Sequence, residues 1–222
     1  MRRYHLDKQT DPGVLWKAAL WLAGITIVYN LLEGAVSVVF GYSDETLSLF
    51  GFGMDSFVEV ISGIGVWHMV VRTLKNGGER DRFEKTALRI TGTSFYLLAA
   101  GLVATGVYNV VTGSKPETTF WGIVISSISI ITMILLMAAK LRIGRQLNSP
   151  SIIADAHCTR TCIYLSVILL GASVLFELFH LAYIDAIGAL GIAWYAFTEG
   201  REAFGKARGE ACGCSDGCGT GM

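Results

Sequence analysis

Six long apolar segments occupy most of this 222-residue sequence and leave few folds open to it. A transmembrane helix needs roughly 20 mostly apolar residues at about 1.5 Å of rise per residue. Segments of sufficient length lie at about residues 14–40, 47–74, 84–112, 118–142, 152–179 and 182–204. The chain is 52% hydrophobic and only 16% charged, which excludes an ordinary soluble domain. The sequence therefore predicts an all-α membrane protein with a bundle of six transmembrane helices.

The basic residues predict how the chain is oriented in the membrane. They precede the first segment, surround the second and fourth loops and follow the sixth segment, whereas only Lys115 lies in an odd-numbered loop. By the positive-inside rule, both termini are expected in the cytoplasm of a cell bounded by its plasma (inner) membrane. We divide the chain into a cytoplasmic segment (1–13), a six-helix membrane domain (14–205) and a flexible cytoplasmic tail (206–222). The 18 basic and 18 acidic residues balance, so the charge indicates no nucleic-acid partner.

Two pairs of polar residues interrupt the second and fifth apolar segments. Asp55 and Glu59 are four residues apart in the second segment, as are Cys158 and Cys162 in the fifth. On a helix this spacing brings both members of a pair to one face, about one turn apart. Ionisable residues inside a membrane helix are costly and indicate function by default. If the two helices face each other, two carboxylates and two thiols converge within the membrane.

Two carboxylates and two thiolates form a tetrahedral ligand set that suits Zn²⁺, Cd²⁺ or a softer cation. A thiol must lose its proton to bind metal, so loading the site releases protons and unloading takes them up. The pattern thus predicts exchange of a metal ion for protons. Two structural alternatives stay open, because the carboxylates could simply bond neighbouring helices and the cysteines could simply pack as small apolar side chains.

Two motifs around these pairs resemble those of the cation diffusion facilitator (cation efflux) family, whose members are six-helix exporters of Zn²⁺ and related ions. The motifs are Asp-Ser-x-x-Glu at residues 55–59 and Asp-Ala-x-x-x-Arg at residues 155–160. In that family the fifth helix carries Asp-Ala-x-His-x-x-x-Asp, so Cys158 and Cys162 stand here in place of His and Asp. The resemblance covers about residues 14–204. The replacement tilts the expected selectivity toward softer metals such as Cd²⁺ or Hg²⁺.

The resemblance implies a secondary transporter, not an enzyme, that exports its cation by alternating access. Its partners would be the metal ion, protons and the lipid bilayer, with no cofactor beyond the transported ion. Family members usually add a folded cytoplasmic domain that helps them dimerise, and none is expected after the sixth helix here, so a homodimer stays open. The alternative function is a non-transporting membrane metal sensor or partner subunit. A thiol redox enzyme has little support, because the sequence has no Cys-x-x-Cys pair.

Other cysteine and histidine residues are candidates for secondary metal binding. His157 adjoins Cys158, but neighbouring helix residues point about 100° apart, which weakens its claim to the same site. The Gly-rich tail carries Cys212, Cys214 and Cys218, and the stretch between them has no aromatic or aliphatic residue to pack against. We therefore interpret the tail as a soft-metal collector that could hand cytosolic metal to the membrane site.

Several polar residues could support the ion path. The candidates are Glu33, Asp155, Arg160 and Asp185. Glu33 and Asn30 could line the path or merely hydrogen-bond between helices, and Arg160 could pair with Asp155. Asp185, Glu177 and His180 group near the fifth loop, where solvated loop residues are favoured over an exit site. The glycines scattered through the helices predict close helix packing.

Overall fold

The computed structural model describes residues 12–76, 82–112, 118–181 and 183–209, and these residues form six α-helices. The helices are Pro12–Ser43 (α1), Leu47–Asn76 (α2), Arg82–Thr112 (α3), Phe120–Gln146 (α4), Pro150–Phe179 (α5) and Tyr183–Arg208 (α6). Each predicted apolar segment is a helix whose ends lie within a few residues of the expected ones. The prediction of an all-α six-helix bundle is confirmed.

Five of the described helices are long and apolar enough to cross a membrane. They contain the spans Gly13–Ser43, Leu47–Arg72, Arg89–Thr112, Phe120–Gln146 and Thr159–Phe179. The sixth, α6, is not among these spans, and its sequence carries charged residues along its length, among them Asp185, Glu199 and Arg201. It nevertheless belongs to the bundle, since it packs closely against α3, with the ring of Phe204 over Gly92 and the ring of Tyr96 over Gly200.

Three helix pairs make the closest contacts in the bundle: α1 with α2, α3 with α6, and α4 with α5. Helix α2 also contacts α3, α5 and α6, and α5 and α6 contact each other, so α2 lies at the centre with α5 and α6 beside it. Large apolar side chains such as Trp21, Leu97 and Trp194 are 70–73% exposed on the outside. A surface of this kind suits contact with lipid tails.

Asp185, in the first turn of α6, holds the beginning of α2. Its carboxylate accepts hydrogen bonds from the backbone N–H of Leu47 (2.8 Å) and of Ser48 (3.1 Å), and from the Ser48 hydroxyl. The first N–H groups of a helix have no partner within the helix and carry partial positive charge, so an anion stabilises them. The interpretation of Asp185 as a solvated loop residue is wrong, because it is only 3% exposed and fully engaged in this contact.

Glu177, near the end of α5, holds the beginning of α4 in the same way. It accepts from the backbone N–H of Thr119 at 2.7 Å and from the Thr118 hydroxyl at 2.9 Å. His180 follows α5 with positive φ and is exposed. The carboxylates of the expected outer cluster thus join helices to one another. We call this side of the bundle, at residues 43–47, 118–120, 179–181 and 183–184, the capped end. The opposite side, at residues 12–16, 145–150 and 204–209, is the terminal end.

Apolar packing closes the bundle between its polar centre and the capped end. Leu49 and Phe52 of α2, Leu165 and Leu169 of α5, and Ile192 of α6 are almost completely buried in one cluster. Leu49 and Phe52 precede Asp55 on α2, and Leu165 and Leu169 follow Cys162 on α5, so these side chains lie on the capped side of the polar residues.

Candidate metal centre

Glu59 of α2 and Cys162 of α5 meet where these two helices pack against each other. The Cys162 thiol donates a hydrogen bond to Glu59 Oε1, and the cysteine is only 3% exposed. These residues belong to different predicted pairs and are 103 positions apart in the chain. The acidic face of α2 and the thiol face of α5 therefore face each other inside the bundle.

Asp55 lies one turn from Glu59 on α2 and is 2% exposed. Its Oδ1 atom has no hydrogen-bond partner within the described ranges. The carboxylate is close enough to interact electrostatically with Glu59, Glu199 and Glu33. An acid placed among other acids in an apolar bundle is stabilised when a cation joins them.

The described side chains are not gathered into a closed metal site. Among residues 12–76, 82–112, 118–181 and 183–209, no three His, Cys, Asp or Glu side chains described there stand close enough to hold one metal ion. A cation bound by Asp55, Glu59 and Cys162 together therefore requires these side chains to draw nearer than they stand here.

Several predicted site residues lie outside what the structure describes. The backbone of Asp155, His157 and Cys158 belongs to α5, but their side chains are not among those described. The tail cysteines, Cys212, Cys214 and Cys218, follow the last described residue. The second thiol of the site, a bond between Asp155 and Arg160, and the metal-collecting tail stay predictions.

Two basic side chains flank the thiol on the terminal side. Arg160 is exposed on the outside of the bundle. Lys140 of α4 is instead 2% exposed and donates to the Thr159 hydroxyl of α5 at 3.0 Å. In the sequence, Lys140 is indistinguishable from the basic residues that follow it at the end of α4, Arg142 and Arg145.

Helix α1 reaches the centre through Asn30 and Glu33. The Asn30 amide donates to Glu59 Oε2 at 2.9 Å. Glu33 is 8% exposed and accepts from the Tyr29 hydroxyl at 2.9 Å and the Ser56 hydroxyl at 3.2 Å. Both α1 residues thus make interhelical hydrogen bonds next to the α2 acids, and α1 adds a third polar face to the candidate site.

Glu199 of α6 is the site residue that sequence reasoning missed. It accepts from the Thr161 hydroxyl at 2.9 Å, and Thr161 directly precedes Cys162. The signal was present, because an acid inside the sixth apolar segment should have been weighed as Asp55 and Glu59 were. Its position on α6 places it on the terminal side of Asp55.

The comparison with protein families decides where this chain belongs. The model of the cation efflux transmembrane domain matches residues 23–208, which is most of the chain. The chain belongs to the cation efflux family. Its predicted membership is confirmed, and with five apolar helices of spanning length this cation efflux chain is an integral membrane protein.

Two relatives of this cation efflux chain are informative. An uncharacterised transporter of Methanocaldococcus jannaschii is 26% identical over 174 residues, covering 76% of this chain and 61% of the relative. Transmembrane protein 163 of Xenopus laevis is 26% identical over 140 residues, covering 63% of this chain and 49% of the relative. The chain thus spans about half to three fifths of the length of these relatives.

Proposed function

We propose that this protein exports a divalent cation, Zn²⁺, Cd²⁺ or a softer metal, from the cytoplasm in exchange for protons. Asp55, Glu59, Cys158 and Cys162 form the transport site. The observation that carries the proposal is the hydrogen bond from the Cys162 thiol to Glu59, which joins the acidic face of α2 to the thiol face of α5. Family membership and a relative named as a transporter support the same activity.

The thiol–carboxylate contact supplies a chemical route to proton exchange. A cation that binds both Cys162 and Glu59 must displace the proton that they share, because only the thiolate is a strong metal ligand. When the cation leaves, the proton returns and the hydrogen bond forms again. Thiolates favour Cd²⁺ and Zn²⁺, whereas Mn²⁺ and Mg²⁺ prefer an all-oxygen site.

Alternating access requires that the site open to one side at a time. The apolar cluster of α2, α5 and α6 closes the route toward the capped end, which is the outer side if both termini are cytoplasmic. Release to the outside then requires α2 and α5 to separate within this cluster. We place the protein in the plasma membrane and leave open whether it forms a homodimer. The Cys-rich tail delivers metal from the cytosol to the transport site.

Metal flux into proteoliposomes tests the function. Purified protein is reconstituted with a pH gradient, and uptake of Zn²⁺, Cd²⁺, Hg²⁺, Co²⁺ and Mn²⁺ is compared. We expect Cd²⁺ and Zn²⁺ to move in a proton-dependent manner, and Cys162→Ser to lower Cd²⁺ affinity by about tenfold or more. Ser166→Ala is the matched control, because Ser166 lies one turn further along the same helix and bonds Cys162 O and Ser129.

Three outcomes would contradict parts of this proposal. Tight binding without flux would identify a metal sensor or partner subunit. Flux that Cys162→Ser leaves unchanged would make the thiol a packing residue. Flux without dependence on the pH gradient would remove proton exchange while keeping cation transport.

A further inference from the structure

Asn30 carries a buried atom for which the fold supplies no partner. The residue is 1% exposed, and its amide nitrogen donates to Glu59 Oε2 at 2.9 Å. Its carboxamide oxygen, Oδ1, is equally buried and has no hydrogen-bond partner in the described part of the chain. A buried acceptor without a donor costs free energy, and within a membrane bundle that cost is not relieved by bulk water.

The position of Asn30 links this unpartnered oxygen to the candidate metal site. The nitrogen and oxygen of an amide are bonded to the same carbon, so Oδ1 lies two bonds from the nitrogen that donates to Glu59. Asn30 also belongs to a line of buried polar residues at helical spacing along α1. This line consists of Thr26, Asn30, Glu33 and Ser37.

Two other members of this line, Thr26 and Glu33, have hydrogen-bond partners, whereas the Ser37 hydroxyl, like Asn30 Oδ1, has none in the described part of the chain. The Thr26 hydroxyl bonds the carbonyl of Leu22 in its own helix at 2.8 Å. Glu33 is held by Tyr29 and Ser56. Of these two unpartnered atoms, the amide oxygen of Asn30 belongs to the side chain that contacts a proposed metal ligand, Glu59.

We propose that Asn30 is a ligand and specificity-determining residue of the transport site, with its amide nitrogen positioning Glu59 and its carboxamide oxygen binding the cation. The proposal rests on the proposed function. Carboxamide oxygen is a neutral, hard ligand. It adds coordination without adding charge to a site that already holds two carboxylates, and it favours Zn²⁺ over Cd²⁺ relative to a site of thiolates and carboxylates alone.

The test measures equilibrium metal affinity of the full-length protein in lipid nanodiscs, by competition with a chelating dye, without any need for transport. Asn30→Ala removes both amide functions, and Asn30→Asp keeps an oxygen ligand. We expect Asn30→Ala to weaken Zn²⁺ binding about tenfold and Cd²⁺ binding less. Asn30→Asp should bind Zn²⁺ more tightly than Asn30→Ala and should gain affinity for Mn²⁺. Thr26→Val, one turn away on the same face of α1, should change the affinity for neither Zn²⁺ nor Cd²⁺.

A second pair of variants separates ligation from positioning. If Asn30 acts only by holding Glu59, then Asn30→Ala adds no further loss of Zn²⁺ affinity to Glu59→Ala. If Oδ1 binds the cation, the double variant binds Zn²⁺ more weakly than Glu59→Ala alone. Equal affinities of the double variant and Glu59→Ala would overturn the ligand role.

Other results distinguish failure of this inference from failure of the transport site itself. Wild-type protein that binds neither Zn²⁺ nor Cd²⁺ contradicts the proposed function. Wild-type binding with an unchanged Zn²⁺/Cd²⁺ ratio in Asn30→Ala contradicts only the role of Asn30. If Asn30→Ala does not fold, Asn30→Asp provides the test. A folded Asn30→Asp variant that loses Zn²⁺ affinity and gains none for Mn²⁺ would show that the side chain at position 30 does not bind the cation.

Discussion

At the scale of single residues, the polar centre is a set of acids held in place by neutral donors. Glu59 is contacted by a thiol and an amide, Glu33 by two hydroxyls, and Glu199 by the hydroxyl of Thr161. Hydrogen bonds of this kind fix the direction in which each carboxylate oxygen points.

Glu199 should contribute to cation binding through its charge. Glu199→Gln keeps an oxygen that can accept from Thr161 but removes a negative charge that interacts with Asp55. We expect the half-saturating concentration of Zn²⁺ to rise about tenfold, since a charge near a divalent ion in a weakly polar medium acts over many ångströms. Zn²⁺ uptake at several concentrations measures this shift.

Glu202→Gln provides the control for that measurement. Glu202 lies three residues further along α6 and, like Glu199, is partly buried. Its substitution should leave the half-saturating concentration near the wild-type value. Equal shifts in both variants would mean that general surface charge, and not the position of Glu199 beside the site, attracts the cation.

At the scale of helices, two carboxylates join the bundle by capping a neighbour. Asp185 of α6 caps α2, and Glu177 of α5 caps α4. Each contact pairs an anion with the positive end of a helix that is distant in sequence. The caps therefore fix the positions of the helices relative to one another along the bundle axis, and they also stabilise the bundle.

Removal of the Asp185 cap should cost more than removal of the Glu177 cap. Asp185→Ala leaves the first N–H groups of α2 without their buried partner, and we expect a loss of about 2 kcal/mol in stability. Glu177→Ala should cost about 1 kcal/mol, because Glu177 is more exposed and water can replace it. Thermal unfolding of both variants in detergent gives the order, and a larger loss for Glu177→Ala would contradict it.

The contact between α1 and α2 depends on a glycine. A Cβ atom at Gly53 would lie 2.8 Å from Ser37 Cβ and 2.8 Å from the backbone nitrogen of Val38. Gly53→Ala must therefore push the two helices apart, and we expect a loss of about 2 kcal/mol in stability. Gly53 thus supports close packing, as the glycine content predicted.

Gly101 offers a matched substitution. A Cβ atom at Gly101 would meet no atom within 4 Å among the described neighbours. Gly101→Ala should leave the unfolding temperature unchanged or raise it, since alanine favours helix by about 0.5–1 kcal/mol over glycine. A similar decrease in both variants would contradict the prediction, because the loss at Gly53 would then not come from the close approach of α1 and α2.

At the scale of the whole molecule, the capped end and the terminal end should face opposite sides of the membrane. Ser43 lies at the capped end and Gln146 near the terminal end, and both are exposed. With the five native cysteines replaced by serine, Ser43→Cys should react with an impermeant thiol reagent added outside intact cells. Gln146→Cys should react only after the membrane is opened, and the reverse pattern would overturn the expected orientation.

The sequence by itself determined the class of the protein and which polar side chains share one face of a helix. Six apolar segments of spanning length admit little but a helical bundle, because backbone hydrogen bonds must be satisfied inside the membrane. Spacing on α2 placed Asp55 and Glu59 on one face, since a helix is regular over a single turn. Local periodicity is thus enough to predict that two side chains are neighbours wherever both residues belong to one helix.

Only the tertiary structure decided which helices meet at the polar centre and what each acid contacts. It brought Asn30 and Cys162 to the same glutamate, added Glu199 from α6, and turned Asp185 from an expected loop residue into a buried cap. These contacts join residues far apart in the chain. They depend on how glycines let helices approach and on which carboxylates cap which helix, and one-dimensional periodicity contains neither.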